Sequence, residues 1–283
     1  MTDDALTTDG VRVPRFLYGT AWKEDRTEEL TGLALRAGFR GIDTANQRKH
    51  YFEEGVGRAV RAALGAGLVT RADLFLQTKF TFRPGQDHRL PYDPAAPIPE
   101  QVAQSFARSQ QHLGTDVIDS YVLHGPSRAD GLGPADREAW AAMEDLHAAG
   151  RVRLLGVSNV TAEQLTELCG LARVKPRFVQ NRCYAVRGWD REVRAVCAAV
   201  GAVYQGFSLL TANRQVLAHP GVQRVAARHG RGVAEVVFRF ALDVGVLPLT
   251  GTTDPAHMKV DLGAFAFRLD PAEVELLDRI GGR

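Results

Sequence analysis

The length, composition and charge of this chain exclude several classes of protein. It has 283 residues, 45% hydrophobic and 24% charged, enough to bury one large core. With 35 basic and 33 acidic residues the net charge is +2, which provides no basic surface for nucleic acid or an anionic membrane. The acidic start lacks a signal peptide's apolar stretch, and no later segment has the roughly 18 uninterrupted apolar residues of a membrane span. We therefore predict one cytoplasmic domain over residues 1–283.

Short β-branched or aromatic runs alternate with segments whose apolar residues recur at three- and four-residue steps. The runs predict eight strands, at 16–18, 41–43, 74–79, 117–123, 152–156, 178–180, 202–205 and 245–249. The periodic segments predict helices at 28–37, 53–64, 99–113, 135–149, 162–172, 191–200 and 222–242. Because parallel strands need helical crossovers, this order predicts an α/β fold, and eight units close a (β/α)8 TIM barrel. A doubly wound open sheet is the alternative, but its GxGxxG turn is absent after the first strand, where the chain reads GTAWKED.

Two further features of the sequence bear on the site. The segment 81–98 contains four prolines and follows the third strand, so it is a candidate wall of a substrate pocket at the barrel mouth. The three cysteines lie at 14-residue intervals, a spacing that matches no common zinc site. We predict buried free thiols and no metal centre.

Four residues that are far apart in the sequence could together catalyse one reaction. Asp43, Lys79 and His124 each close a short apolar run, and Tyr51 follows Asp43 by eight residues. If the runs are neighbouring parallel strands, all four side chains meet at one rim. A phenol beside an ammonium, an imidazole and a carboxylate can protonate a carbonyl oxygen, since a nearby cation makes the phenol a stronger acid. The four residues contain no hydride donor.

The chain resembles the aldo-keto reductase family in a series of motifs that occur in the family's order and spacing. They are YGTAW at 18–22, GFRGIDTA at 38–45, YFEEGVGRAV at 51–60, QTKF at 77–80, DSYVLHGP at 119–126, GVSNV at 156–160, VQNRCY at 179–184 and LPLTGTTDPAHMKVDL at 247–262. The resemblance implies a (β/α)8 barrel that binds NADPH extended across its mouth and reduces an aldehyde or ketone to an alcohol. It also implies a catalytic tetrad of Asp43, Tyr51, Lys79 and His124.

In the scheme that the resemblance implies, the substrate carbonyl receives hydride at carbon while Tyr51 protonates its oxygen. Lys79 lowers the pKa of the phenol, Asp43 holds the ammonium of Lys79, and His124 orients the carbonyl. Trp22, Tyr51 and His124 line the substrate pocket.

The chain departs from the family pattern next to Tyr51. The family places its tyrosine five residues after the aspartate, whereas position 48 is Arg here and the tyrosine comes at 51. Either the three-residue insertion in NQRKH bulges and Tyr51 still reaches the site, or the phenol is displaced. We expect the first, because Tyr51 and Glu54 keep the register of the following helix. Arg48, Lys49 and His50 would then form a small basic bulge at the mouth.

Cofactor contacts follow from the resemblance residue by residue. Ser158, Asn159 and Gln180 match the positions that bind the carboxamide, and Phe207 is expected to stack on the nicotinamide, with Tyr204 as the alternative. Hydroxyls of Thr250, Thr252 and Thr253 and backbone amides, which precede a helix N-terminus, should hold the adenosine 2'-phosphate or ribose. The full set comprises Gly19, Thr20, Ala21, Asp43, Ser158, Asn159, Gln180, Phe207, Ser208, Leu210, Thr250, Thr252, Thr253, His257 and Asp261.

Two cations of NADPH-selective members of the family are missing. Leu249 stands where the family has a lysine, and His257 stands where it has an arginine. NADPH is still the expected cofactor, but NADH is possible. The preference for NADPH should be modest at pH 8 and grow towards pH 6, where histidines become protonated.

Two other functions remain open. One is a nicotinamide-binding regulatory or assembly protein on the same barrel, which the short segment of about 15 residues before the first strand does not favour. The other is a pathway-specific redox step in biosynthesis, which the sequence does not separate from simple carbonyl reduction. The expected partner is a small carbonyl substrate, and the chain is expected to be a monomer or a weak homo-oligomer.

Overall fold

The structure, a computed structural model, describes residues 4–280, and its centre is a closed barrel of eight parallel strands. The ten strands of these residues are β1 Ala5–Thr8, β2 Val11–Pro14, β3 Leu17–Gly19, β4 Gly41–Asp43, β5 Phe75–Phe80, β6 Ile118–Leu123, β7 Val152–Ser158, β8 Phe178–Arg182, β9 Val203–Phe207 and β10 Val246–Thr250. Strands β3 to β10 pair with their neighbours in chain order, and β10 closes onto β3. The predicted (β/α)8 TIM barrel is confirmed.

Helices follow the barrel strands and cover the outside of the barrel. They are α1 Thr27–Ala37, α2 Glu53–Gly65, α3 Ile98–Leu113, α4 Pro134–Ala148, α5 Ala162–Leu171, α6 Arg191–Val200, α7 Arg214–Ala218, α8 Pro220–His229, α9 Val233–Asp243, α10 Pro255–Leu262 and α11 Pro271–Arg279. Successive side chains of a strand point to opposite faces, so each strand contributes alternately to the shell under the helices and to the barrel interior.

The barrel interior has an apolar lower part and a polar upper part. The lower part is a cluster of fully buried side chains that includes Leu17, Phe75, Phe178 and Leu247. Two residues after Phe75, Gln77 faces the same interior and is also fully buried. Its amide is bonded to Gln205 across the barrel at 2.8 Å, and such a satisfied polar layer holds the strand ends above it in register.

An antiparallel hairpin, which sequence reasoning missed, precedes the barrel. Strands β1 and β2 pair from Ala5↔Pro14 to Thr8↔Val11, and Val13 packs into the apolar lower cluster. The two strands are joined by Asp9 and Gly10, both with positive φ (46° and 76°). An Asp-Gly pair between β-forming runs is a strong hairpin signal, so the sequence contained the information.

The single helix predicted at 222–242 is wrong. Helix α8 ends at His229 and α9 begins at Val233, with Gly230 between them in the left-handed conformation (φ 61°). Glycine closes helices in this conformation without steric cost, and Gly232 then starts α9, where its N–H donates to the carboxylate of Glu235. The apolar periodicity continued across the break and concealed it.

Among residues 4–280 no helix combines the length and apolarity needed to cross a bilayer. The three cysteines are buried and free, as predicted. No group of three metal-ligating His, Cys, Asp or Glu side chains occurs in the same described range.

Candidate active site

A cavity of about 810 Å³ opens at the carboxyl ends of the barrel strands. Active sites of this fold form at that end, where the βα loops converge. The predicted site residues that line it are Gly19, Ala21, Trp22, Asp43, Tyr51, His124, Ser158, Asn159, Gln180, Phe207, Ser208, Leu210, Thr250, Thr252, His257 and Asp261. The sequence motifs therefore converge on one site, while the role of each residue stays a prediction.

Lys79 and Asp43 form a buried ion pair below the cavity floor. Lys79 Nζ donates to Asp43 Oδ1 at 2.7 Å and to the carbonyl of Thr44 at 2.8 Å, and the lysine is fully buried. Burial lowers the pKa of Lys79, and the Asp43 carboxylate opposes that shift. Asp43 Oδ1 also accepts from the amides of Gln77 at 2.7 Å and Gln180 at 3.0 Å. Three donors thus fix one carboxylate oxygen, and the Thr44 carbonyl also accepts from the ammonium, which therefore has a single position.

The three-residue insertion bulges and leaves the Tyr51 ring in the cavity. The ring centroid lies 5.3 Å from Lys79 Nζ and 5.8 Å from the centroid of the His124 ring. The bulge is held because Trp22 N donates to the carbonyl of His50 at 2.7 Å and the two rings stack with centroids 3.9 Å apart. Of the two alternatives, the structure has the one in which Tyr51 reaches the site.

The pKa of the Tyr51 phenol is raised above its ordinary value in this arrangement, and the lowering expected from Lys79 stays a prediction. Burial raises that pKa, and the negative charge of Asp43 raises it further. A phenol with a raised pKa is protonated throughout neutral pH, which is the state that a proton donor needs.

His124 is held neutral beside the phenol. Burial lowers its pKa to about 3, and the charges of Lys79 and His50 act in the same direction. Its Nδ1 lies 2.7 Å from Thr81 Oγ1, and its backbone carbonyl accepts from Asn159 Nδ2 at 2.8 Å. The imidazole is thus fixed as an uncharged hydrogen-bonding group facing the cavity.

These two pKa shifts predict the pH dependence of carbonyl reduction. Between about pH 5 and 7 the phenol stays protonated and the imidazole stays neutral, so kcat/KM should be constant across the range in which an ordinary histidine titrates, about 6.5. Initial rates at subsaturating substrate over this range provide the measurement. An acidic limb with a midpoint near 6.5 that persists in the His50→Asn variant would contradict a neutral His124.

One end of the cavity has the groups needed to bind a carboxamide. Asn159 and Gln180 line it, and their side-chain oxygens accept no hydrogen bond from the described part of the chain. Both oxygens are acceptors for a primary amide NH₂. Phe207 lines the same region, whereas Tyr204 is 2% exposed and donates to Asp190 at 2.8 Å, so Phe207 is the aromatic available for stacking.

The other end offers donors for phosphate. The backbone N–H groups of Leu209, Leu210 and Thr211 donate to no group within residues 4–280, although all three residues line the cavity. Such N–H groups in a turn bind anions. Lys23 also lines the cavity, is 8% exposed and donates to the carbonyl of Gly251, and burial lowers its pKa to about 8. The residues present therefore fit a nicotinamide dinucleotide.

Three predicted site residues lie outside the cavity lining. Thr20 is fully buried and donates to the backbone carbonyl of Asp43 at 2.9 Å, so it supports the site from below. Lys79 is fully buried behind residues that line the cavity. Thr253 is exposed at the surface beside the cavity. His50, expected in the basic bulge at the mouth, lines the cavity. Sequence reasoning missed several other lining residues, which are Lys23, Arg182, Leu209, Thr211, Gly232, Val233, Ala234, Phe238, Gly251 and Val260.

The loop at 81–98 does not line the cavity as expected. It folds back onto the barrel instead: Tyr92 Oη and Gln86 Nε2 donate to the carbonyl of Thr81 at 2.8 and 3.3 Å, and the Tyr92 ring packs on Phe80 at 5.7 Å. Tyr92 and Gln86 anchor the loop, whereas three of its four prolines are exposed, so the substrate side is bounded by the β3 and β4 loops.

The fold and site define a barrel enzyme class, and comparison with known sequences identifies it. The sequence model of the Aldo/keto reductase family matches residues 17–281. The chain belongs to this family. Nicotinamide cofactors and small carbonyl substrates are thereby supported at the level of the family.

Several relatives align over nearly their whole length. The uncharacterized oxidoreductase YtbE of Bacillus subtilis is 28% identical, with 98% of this chain and 92% of that protein aligned. The glyoxal reductase of the same organism is 27% identical, over 99% and 93%. An aldo/keto reductase structure from Brucella melitensis has a TM-score of 0.82 at 27% identity, covering 98% of each chain. The Bombyx mori AKR2E4 structure in complex with NADP has a TM-score of 0.83 at 24% identity, covering 98% of this chain and 92% of that one, a likeness of fold.

Proposed function

We propose that the chain reduces an aldehyde or ketone to an alcohol with NADPH, with Tyr51 as the proton donor. The observation that carries the proposal is the placement of the Tyr51 ring between Lys79 Nζ and the His124 ring, at 5.3 and 5.8 Å. A bound nicotinamide cofactor would supply hydride to the carbonyl carbon. NADPH oxidation with aromatic aldehydes, short aldoses and ketones tests the proposal, and no turnover with any carbonyl compound would refute it.

Within this scheme each side chain has one task. The Tyr51 O–H donates its proton to the carbonyl oxygen as negative charge develops there. The neutral His124 donates a hydrogen bond to the same oxygen and fixes its direction. The Lys79 ammonium, held in one position by Asp43 and 5.3 Å from the Tyr51 ring centroid, stabilises the phenolate that remains after proton transfer.

The substrate enters on the side of Trp22 and His50. Trp22 is 69% exposed with a positive φ of 60°, a strained backbone conformation for a bulky residue. Its indole and the His50 imidazole form a stacked wall beside Tyr51. The relative named glyoxal reductase supports a small aldehyde as substrate.

The two cofactor phosphate groups are assigned to different cations. Lys23 lies inside the cavity and is 8% exposed, so we assign it to the diphosphate, which NADPH and NADH share. His257 lies at the exposed rim next to Thr252 and Val260, so we assign it to the 2'-phosphate. Leu249, where the family has a lysine, lines the cavity but packs against the apolar cluster of the barrel, so it offers no cation to the phosphate.

Lys23→Met should weaken NADPH and NADH equally, by about 1.5 to 3 kcal/mol, the scale of a hydrogen bond to a charged group. In the unchanged protein, affinity for both cofactors should fall as pH rises through the pKa of Lys23, about 8, since the protonated amine binds the anion. Fluorescence titration of both cofactors measures this, with Lys259→Met on exposed α10 as the matched control. A loss confined to NADPH would instead place Lys23 on the 2'-phosphate.

A further inference from the structure

The hydroxyl of Thr81 is aimed at the imidazole that faces the substrate. Thr81 Oγ1 lies 2.7 Å from His124 Nδ1, and the threonine is 6% exposed. His124 Nε2 bonds to no group within residues 4–280, and His124 lines the cavity. The two ring nitrogens therefore have different surroundings: Nδ1 faces the protein and Nε2 faces the substrate.

The hydrogen bond has two possible directions, and only one satisfies the hydroxyl. If Nδ1–H donated, the Thr81 O–H would need another acceptor, and Oγ1 contacts no other polar group in the described part of the chain. A buried hydroxyl hydrogen without an acceptor is destabilising. If the hydroxyl donates to Nδ1, every buried proton is paired. The proton of the neutral ring then lies on Nε2.

The threonine is itself held in place from the side opposite the histidine. Its carbonyl accepts from Tyr92 Oη at 2.8 Å and from Gln86 Nε2 at 3.3 Å, and Gln86 also donates to the carbonyl of Asn46 at 2.9 Å. These contacts come from the 81–98 loop. The loop therefore fixes the residue that orients the imidazole, although it does not touch the cavity.

We propose that Thr81 is a positioning residue that sets the tautomer of His124, placing its N–H on Nε2 where the substrate carbonyl oxygen binds. The opposite tautomer would present a bare nitrogen lone pair to the carbonyl oxygen and repel it. The position of the ring proton matters because the imidazole is neutral and has one N–H. A charged imidazole would carry a proton on both nitrogens. The kinetic part of this inference rests on the proposed carbonyl reduction.

Three threonine variants test the proposal by kinetics. Thr81→Val keeps the shape and removes the hydroxyl, so kcat should fall by roughly ten- to a hundredfold, within the range for losing an aligned donor at a reacting oxygen. Thr81→Ser restores the hydroxyl and should return kcat to within about threefold of the original. Thr31→Val is the matched control: it removes a buried hydroxyl that has no partner in the described residues and does not line the cavity, and it should leave kcat unchanged. Cofactor affinity should be the same in all three.

Nitrogen NMR of protein labelled at histidine reads the tautomer directly, with the His124 signals assigned by their absence in His124→Asn. In the unchanged protein Nε2 should have the shift of a protonated nitrogen and Nδ1 that of a bare one. In Thr81→Val both tautomers should be populated.

A proton on Nδ1 in the unchanged protein would overturn the proposal. So would an unchanged kcat in Thr81→Val, or a serine variant as impaired as the valine variant. If the protein reduces no carbonyl compound, the proposed function fails, and the NMR result still decides the tautomer, so the two failures are distinguishable.

Discussion

Tyr51→Phe is expected to bind NADPH normally and to lose carbonyl reduction. The substitution removes the O–H and leaves the ring that packs beside Lys79 and His124. A positioned acid contributes on the order of 10²- to 10⁴-fold, and kcat should fall by that factor. Steady-state kinetics on a good aldehyde, together with fluorescence titration of NADPH, measure the two quantities.

The matched control is Tyr121→Phe, which removes a hydroxyl from another fully buried tyrosine that does not line the cavity. It should retain kcat. If Tyr51→Phe kept more than about a third of kcat, far above the loss expected for a positioned acid, a different group would be the donor. His50, adjacent in the chain and also lining the cavity, would be the first to test.

Lys79→Met and Asp43→Asn should each lower kcat by at least about a hundredfold, and the double variant should be no more than about threefold worse than either single one. The reason is the 2.7 Å bond between two side chains buried at 0% and 3% exposure, which act as one unit. A double-mutant cycle in kcat measures the coupling. Losses that multiply would show that the two residues act separately.

Stability must be followed in the same cycle. Removing one partner of a buried ion pair costs about 3 to 5 kcal/mol, so thermal unfolding would separate loss of fold from loss of chemistry. Lys79→Met is the safer single variant, because Asp43 keeps the amide donors of Gln77 and Gln180. Lys175→Met is a surface control, since within residues 4–280 that ammonium donates to the carbonyls of Cys169 and Ala172 and to no acidic side chain.

The barrel could be predicted because the sequence patterns that indicate its strands and helices are local. Each strand is a short apolar run and each helix has its own period, so element order predicts a parallel α/β sheet, and the family motifs favour the closed barrel over an open sheet. The error at 222–242 has the same origin: apolar spacing continued through Gly230 and Gly232, and only the backbone conformation of Gly230 ends the helix. The hairpin at Asp9-Gly10 could have been predicted from the sequence but was overlooked.

The tetrad was predictable from the family motifs, whereas the groups that hold it were not. Gln77 lies two residues before Lys79 on the same face of β5, and in sequence nothing separates it from the other polar residues of QTKF. Lys23 and Thr81 are ordinary loop residues until the fold brings them to Gly251 and His124. The raised pKa of Tyr51 was likewise unpredictable, because it depends on burial that only the folded chain shows.

The central claim is hydride transfer to a carbonyl group, and the most direct test uses NADPH deuterated at one face of its nicotinamide C4. Incubated with an aldehyde and the unchanged protein, the cofactor labelled on one face should deliver deuterium to the carbinol carbon of the alcohol, and the cofactor labelled on the other face should deliver none. Tyr51→Phe should bind the same cofactor and form little alcohol. Tight NADPH binding with no label in any alcohol would contradict the account and favour a nicotinamide-binding regulatory protein.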